Sequence, residues 1–517
     1  MPAQMQQPPQ PPPQGAVLAL MTLALSLGTF MQVLDTSIAN VSIPAIAGDL
    51  GSSPDQGAWV ITSFAVSNAI MLPLTGWLAR RLGEVKLFVA ATTLFTIASW
   101  ACGLAPNLPT LIAFRVCQGA VAGPMIPLSQ SLLLANYPDH KKGMALALWS
   151  MTVVVAPIFG PIMGGWITDN ISWPWIFYIN IPVGMFSAFV TWQILRKRET
   201  LIVRRPIDAV GLVLLATGVG SLQILLDKGN ELGWFGSSFI VTLAAISTVA
   251  LSFFIVWELT EEHPVVDLHL FLNRNFTVGV IAVSLGYMTF FGNVVIFPLW
   301  LQTQMNYTAT WAGLAAAPIG LLSVVLSPVV GRILHRVDLR VLTTFSFLVF
   351  AGVSFWTSQF NTNVSYYELF MPRFIQGIGM AFFFIPLASM SLSGLRADQF
   401  ASAAGLSNFL RILAGSFGTS LSITLWERRS ILHYSQLIEH ISAFSTISVR
   451  ALQHLKQLGL AAGGALDLLS GLVTQQAVMI ATDELFWLSG VIFLGLIVVV
   501  WFARPPFAAA GGSGGEH

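Results

Sequence analysis

Apolar positions in this chain fall in long runs, and polar positions collect in the short stretches between them. A helix needs about 20 consecutive apolar residues to cross a hydrocarbon core of about 30 Å. The pattern predicts fourteen such spans, at about 17–44, 57–79, 87–104, 108–135, 144–168, 174–195, 207–226, 237–258, 275–302, 309–331, 341–358, 368–394, 401–425 and 483–503. The first, fourth and ninth are long enough to tilt or project. Residues 427–482 are the only sizeable stretch outside the spans. Within 433–458, Leu437, Ile441, Leu452, Leu455 and Leu458 recur at roughly helical spacing. That spacing predicts either a linker helix lying on the membrane surface or a docking surface beyond it.

Composition supports lipid as the solvent. Of 517 residues, 55% are hydrophobic and 9% charged, against roughly 25% charged in a soluble domain. The net charge of +1 gives no reason to expect nucleic acid as a partner. Cys102 and Cys117 both lie in apolar runs, so no disulfide framework is expected. Residues 1–14 are rich in Pro and Gln without a basic residue, and read as a disordered tail rather than a cleaved signal. Residues 511–517 read as a flexible tail.

Basic residues set the sides. With the N-terminus cytoplasmic, 16 of the 24 lysines and arginines fall in inner loops, among them Arg80, Arg81, Lys86, Lys141, Arg204, Arg205, Arg332 and Arg340. The short outer loops hold only Lys228, and four more lie in the long outer segment. Such an inner excess orients multi-span proteins. It places both termini in the cytoplasm. Arg115, Arg373 and Arg411 remain inside spans.

The chain repeats itself. RVCQGAVAGPMIPL from Arg115 echoes RFIQGIGMAFFFIPL from Arg373, and APIFGPIMGG from Ala156 echoes AGSFGTSLSI from Ala414, each 258 residues apart. GWLARRLGEVK from Gly76 is echoed more weakly by GRILHRVDLR from Gly331. Three echoes at nearly one offset predict two homologous halves of six helices, 15–200 and 261–510, with two spans inserted at 201–260. Six-plus-six halves around a central cavity are the architecture of the major facilitator superfamily. The fold class expected is an all-α integral membrane protein with a major facilitator fold of fourteen transmembrane helices.

Further motifs narrow the resemblance. LDTSIANVSIP at 34–44, the 76–86 loop with Gly76, Arg80, Arg81 and Gly83, the Arg115, Gln118 and Gly119 set, Pro157, Gly160, Pro161, Gly164 and Gly165 within 156–165, and WPWIFYINIP at 173–182 together make the chain resemble the EmrB-like, fourteen-span drug:proton antiporters of that superfamily. The resemblance covers nearly the whole chain. It implies a proton-driven multidrug exporter of lipophilic compounds, with protons as the coupling ion and neither cofactor nor metal. It also implies a tripartite efflux pump, with an EmrA-like periplasmic adaptor and a TolC-like outer-membrane channel as partners. The loop motif departs from the family pattern: Arg80 stands where an Asp is usual, and Glu84 is a possible substitute.

Asp35 is the only carboxylate well inside a span; Asp208, Asp227 and Glu258 lie at span ends. A charge at membrane depth costs roughly 2.5–3.5 kcal/mol on insertion scales and usually serves function. An acid shielded from water in one conformation and opened in another suits proton coupling. The alternative is an interfacial acid with Thr36, Ser37 and Asn40 as local partners. Arg115 is positioned either to act on a nearby acid or to tie helices together, and the resemblance implies a part in proton coupling. Gly160, Gly164 and Gly165 let helix backbones touch, and Pro157 and Pro161 bend the helix. Gln32, Asn68, Gln118, Gln130, Asn293 and Asn408 are the polar side chains expected to outline an amphipathic cavity.

With no Gly-Lys dipeptide, no phosphate-binding loop of that type is present. Neither a zinc motif nor an activated-serine elbow appears, so an enzyme is not expected. Two other readings stand beside multidrug antiport. One is proton-linked export of a specific metabolite or siderophore. The other is a membrane scaffold that assembles a periplasmic complex without transporting.

Overall fold

The computed structural model describes residues 13–507 apart from 53, 139–140, 201, 203–207, 335, 397–398, 442–444 and 458–461. The two expected tails at 1–14 and 511–517 fall almost wholly outside the described residues, as do Arg204 and Arg205. No strand occurs among the described residues. In hydrocarbon, every backbone N–H and C=O must be satisfied within the segment, which leaves the helix as the solution for isolated spans.

The helices that match the apolar runs are numbered in chain order. They are α1 (Gly15–Asp49), α2 (Trp59–Met71 and Thr75–Leu82, bent by 62°), α3 (Glu84–Gly103), α4 (Leu108–Ala122 and Met125–Asn136) and α5 (Lys142–Asn170). Next come α6 (Trp175–Leu195), α7 (Ala209–Lys228), α8 (Ser238–Thr260), α9 (Arg274–Gln304) and α10 (Ala309–Ala316 and Pro318–Ile333). The last are α11 (Leu339–Thr357), α12 (Tyr366–Ser391), α13 (Phe400–Glu439) and α14 (Ala462–Val500). Twelve are long and apolar enough to cross a membrane as they stand, and counting the bent α2 and α5 as one span each gives fourteen. Polar caps start several of them. Asn107 accepts from the Thr110 N–H at 3.0 Å, and Ser365 and Glu368 form a reciprocal capping box.

Glycine sets the closest approaches between the two sets of helices, at the end that carries the basic loops. A Cβ on Gly76 of α2 would lie 2.6 Å from the Ser402 Cα of α13. Gly143 of α5 and Gly331 of α10 face each other, and a Cβ on either would meet the other's carbonyl oxygen at 2.5 or 2.8 Å. The two sets of helices therefore touch backbone to backbone at these points of the basic end. Gly83 turns the chain into α3 at φ +89°, and a Cβ there would strike the Glu199 carboxylate. That carboxylate accepts from the Val85 and Lys86 N–H groups at 3.0 Å each. Glu84 faces inward and accepts from Ser131 Oγ at 2.9 Å.

The segment 427–482 differs from the expected surface helix. It is not one surface helix over 433–458: α13 runs on to Glu439, α14 already starts at Ala462, and among the described residues only a short helix, Thr446–Gln457, lies between. At about 1.5 Å per residue, forty residues of α13 span about 60 Å, twice the hydrocarbon thickness. Both helices project beyond the membrane as a pair. Arg429 and Glu484 join them through two hydrogen bonds of 2.5 and 2.6 Å, and Tyr434 meets Ser470 at 3.1 Å.

The inserted α7 lies between α2 and α13. Its polar contacts with α13 are continuous. Gln223 donates to Ser416 Oγ at 3.0 Å, Ser420 Oγ donates to the Leu226 carbonyl, and Thr424 Oγ1 donates to Asn230 Oδ1 at 3.2 Å.

Candidate functional site

Asp35 lies mid-way along α1, and its side chain is completely buried. None of its expected local partners holds it: Thr36 bonds back to the Gln32 carbonyl at 3.1 Å, and Ser37 leans on the Pro157 carbonyl at 3.4 Å. The partners come from other helices. Arg115 Nη1 of α4 donates to Asp35 Oδ2 at 2.5 Å, and Gln118 Nε2 donates to Oδ1 at 3.1 Å. Asn180 Nδ2 of α6 donates to Oδ1 at 2.9 Å. Ser99 Oγ of α3 joins the two amides, accepting from Gln118 at 2.6 Å and Asn180 at 3.1 Å. Four helices thus converge on one carboxylate.

Arg115 does both things its position offers. It pairs with the acid, and its Nε donates to the Val60 carbonyl of α2 at 3.0 Å. Its guanidinium also lies over the Phe64 ring, 4.2 Å from the centroid. A charge taken out of water is tolerated only when it is paired and its remaining polar atoms are satisfied. Asp35 meets that condition with three donors.

The glycines of α5 bring α1 close to this shell. A Cβ on Gly160 would sit 1.5 Å from Ser37 Oγ, and one on Gly164 would sit 2.8 Å from the Ile38 carbonyl oxygen. Gly165 is half-buried on the same helix. Helix α5 bends by 45° between Lys142–Pro157 and Ile162–Asn170, where the prolines predict a bend. The side chain of Pro161 lies outside those described.

A cavity of about 530 Å³ lies between the two sets of helices. Asn40 and Pro44 of α1 and Pro157 of α5 form one wall; Phe290, Phe291 and Phe297 of α9 and Arg373 and Phe384 of α12 form the other. It opens along the parts of α1 and α9 remote from the basic end. Its size suits a drug-sized molecule. A larger hollow of about 740 Å³, near Leu18, Tyr137, Lys141 and Arg332, lies at the basic end and touches neither Asp35 nor the aromatic wall.

The six polar residues expected to outline one cavity are dispersed. Only Asn293 lines the central cavity. Gln118 belongs to the Asp35 shell instead, because its amide reaches both the acid and Ser99. Gln130 and Asn408 meet across the two sets of helices at 3.3 Å, in a narrow slot beside Arg411. Gln32 and Asn68 are buried away from the cavity. Sequence reasoning missed Asn180, Ser99 and the Val60 carbonyl. Asn180 had a signal as an amide inside an apolar span; Ser99 and a backbone carbonyl had none.

Residues 25–419 match the family model described as Major Facilitator Superfamily. The chain belongs to the major facilitator superfamily. Within it, this major facilitator protein is 54% identical to the multidrug export protein EmrB of Escherichia coli K12, over 98% of this chain and 99% of that one. It is 54% identical to EmrB of Haemophilus influenzae, over 96% and 98%. It is 53% identical to the fatty acid resistance protein FarB of Neisseria gonorrhoeae, over 97% and 99%. Among solved structures, the human organic anion transporter MFSD10 shares the fold, with a TM-score of 0.57 at 12% identity over 93% of this chain and 100% of that chain.

Proposed function

We propose that this chain is a proton-driven exporter of lipophilic compounds, seated in a bacterial inner membrane with both termini in the cytoplasm. The observation that carries the reading is the wholly buried Asp35, held by Arg115, Gln118 and Asn180 from two other helices. A proton on one oxygen of Asp35 displaces the donors bound to that oxygen, so loading a proton loosens this shell. The helices of the shell all belong to the first six-helix half, so proton loading is a rearrangement inside that half that biases how it meets the second half. Each proton that enters across about 100 mV supplies about 2.3 kcal/mol. The names of the EmrB relatives support multidrug export as the purpose of that work.

The projecting ends of α13 and α14 are the surface on which an EmrA-like adaptor leading to a TolC-like channel would dock. Replacing 440–461 by a short flexible linker should abolish drug resistance in cells while leaving transport in vesicles intact. Unchanged resistance would remove this docking role.

The test of coupling is drug-triggered proton movement in proteoliposomes under an imposed pH gradient, wild type against Asp35→Asn. Gradient-driven drug movement in wild type and its absence in the variant supports the reading. Equal movement in both would reduce Asp35 to a structural acid. A variant that fails to transport yet still assembles with its adaptor would separate transport from scaffolding.

A further inference from the structure

The hollow of about 740 Å³ at the basic end takes no part in the Asp35 shell or in the central cavity. Its walls come from both halves: α1 and α5 from the first, and the end of α10 from the second. Leu18, Leu23, Leu148, Met144 and Met151 make it apolar. Leu23 is half-exposed at its edge, so the hollow faces the acyl chains rather than the interior of the bundle. The two methionines are unbranched and adapt to a flexible chain laid against them.

Two exposed cations stand at its mouth. Lys141 immediately precedes α5, and Arg332 lies in the last turn of α10. Neither forms a salt bridge among the described residues, and among those residues no carboxylate lines the hollow. The pair flanks a contact between the halves: Gly143, two residues after Lys141, touches Gly331, the neighbour of Arg332. Like charges on either side of a contact repel, and more strongly beside hydrocarbon than in water. An anion seated between them replaces that repulsion with an attraction to each half. A soluble anion would leave the apolar walls unfilled. An apolar hollow that ends in two unpaired cations at the level of the basic loops has the chemistry of an anionic lipid seat.

We propose that one anionic phospholipid, from the leaflet beside the basic loops, occupies this hollow and braces the two halves. Its phosphate lies between Lys141 and Arg332, and an acyl chain follows α1 and α5 along the leucines and methionines.

The test is lipid titration of the detergent-purified full chain, read by thermal unfolding. It uses neither cargo nor gradient, so it succeeds or fails apart from the export reading. The probes are dioleoylphosphatidylglycerol, zwitterionic dioleoylphosphatidylcholine, and glycerol phosphate without chains. Phosphatidylglycerol should raise the unfolding temperature at concentrations where the other two do not. Lys141→Gln with Arg332→Gln should weaken the apparent affinity for phosphatidylglycerol by about tenfold. Arg196→Gln with Lys197→Gln, which removes the same charge from exposed residues of another basic loop, should leave it unchanged. Equal responses of wild type to the two lipids, or no response to either, would overturn the proposal without any variant. An equal loss in both double variants would also overturn it, by reducing the effect to general surface charge. A full response to glycerol phosphate would make the pair a phosphate site and remove the lipid from it.

Discussion

The two buried arginines compare as a pair made on one plan and finished differently. Arg115 and Arg373 occupy the fourth helix of each repeat, lean on a glutamine one turn along, and lie over phenylalanine rings. Around Arg115 an acid, a backbone carbonyl and the Gln118 amide take up Nη1 and Nε, and Nη2 alone is left without a partner. Around Arg373 the acid is replaced by Asn293, and two buried donors are left without a partner in a residue that helps line the cavity. One duplicated scaffold thus holds its charge neutral in one copy and available in the other.

The largest effect expected from breaking that contrast is at Asp35. Asp35→Asn should reduce proton-coupled drug movement to background, and should destabilise the protein by about 3 kcal/mol, the usual cost of removing one partner of a buried ion pair. Fluorescence-monitored thermal unfolding in detergent measures the second part. An unchanged unfolding temperature would mean that the fold carries Arg115 as easily without an acid as it carries Arg373.

The reciprocal change sharpens the comparison. Asn293→Asp should finish the second site as a copy of the first. The new carboxylate should pair with Arg373 and raise the unfolding temperature in detergent. An unfolding temperature equal to wild type would show that residue 293 does not reach the arginine.

Glycine contacts, unlike the arginines, are alike in both repeats. Gly160 faces Ser37, and Gly418, at the repeat offset, faces the Met288 carbonyl oxygen, where a Cβ would sit 2.1 Å away. Gly160→Ala and Gly418→Ala should each cost about 1–3 kcal/mol by overpacking. Chemical denaturation of the two variants side by side checks whether the two helix contacts are equally tight.

The smallest effect lies outside the membrane, at the start of α11. Hydrogen bonds from Arg340 hold the Asp338 carboxyl below its ordinary value, and Asp338 also caps the helix through the Arg340 N–H at 2.8 Å. A lowered folded value means that the stabilisation is present at neutral pH and is lost as pH falls below about 4. Asp338→Ala should cost about 1 kcal/mol or less. That difference from wild type should shrink in acid thermal melts.

Helix positions were legible because twenty apolar residues in a row have few other uses. Helix ends were less so. The apolar run of α13 stops near residue 425, but the helix continues to Glu439, because pairing with α14 through Arg429 and Glu484 replaces lipid as its support. Asp35 and Arg115 stood out because a charge in an apolar run is rare. That they touch each other is a fact of packing, visible only once α1 and α4 are laid together. Polarity alone could not assign Gln118, because an amide inside a span looks the same whether it serves an acid, as here, or a cavity, as Asn293 does. The repeat offset held the missing information, since it aligns Asp35 with Asn293 before any coordinate is known.

The row Ser416, Ser420 and Thr424 on α13 finds its partners on or just beyond α7, a helix made nearly two hundred residues earlier. During synthesis, α7 must therefore wait in the bilayer with Gln223 held only by Asp227 of its own helix, at 3.0 Å, until α13 emerges. When α13 arrives, its hydroxyls find a ready seat and are spared the lipid. The inserted pair is thus a berth built ahead of its occupant. Cutting it out to make a twelve-helix protein would leave that row stranded against hydrocarbon.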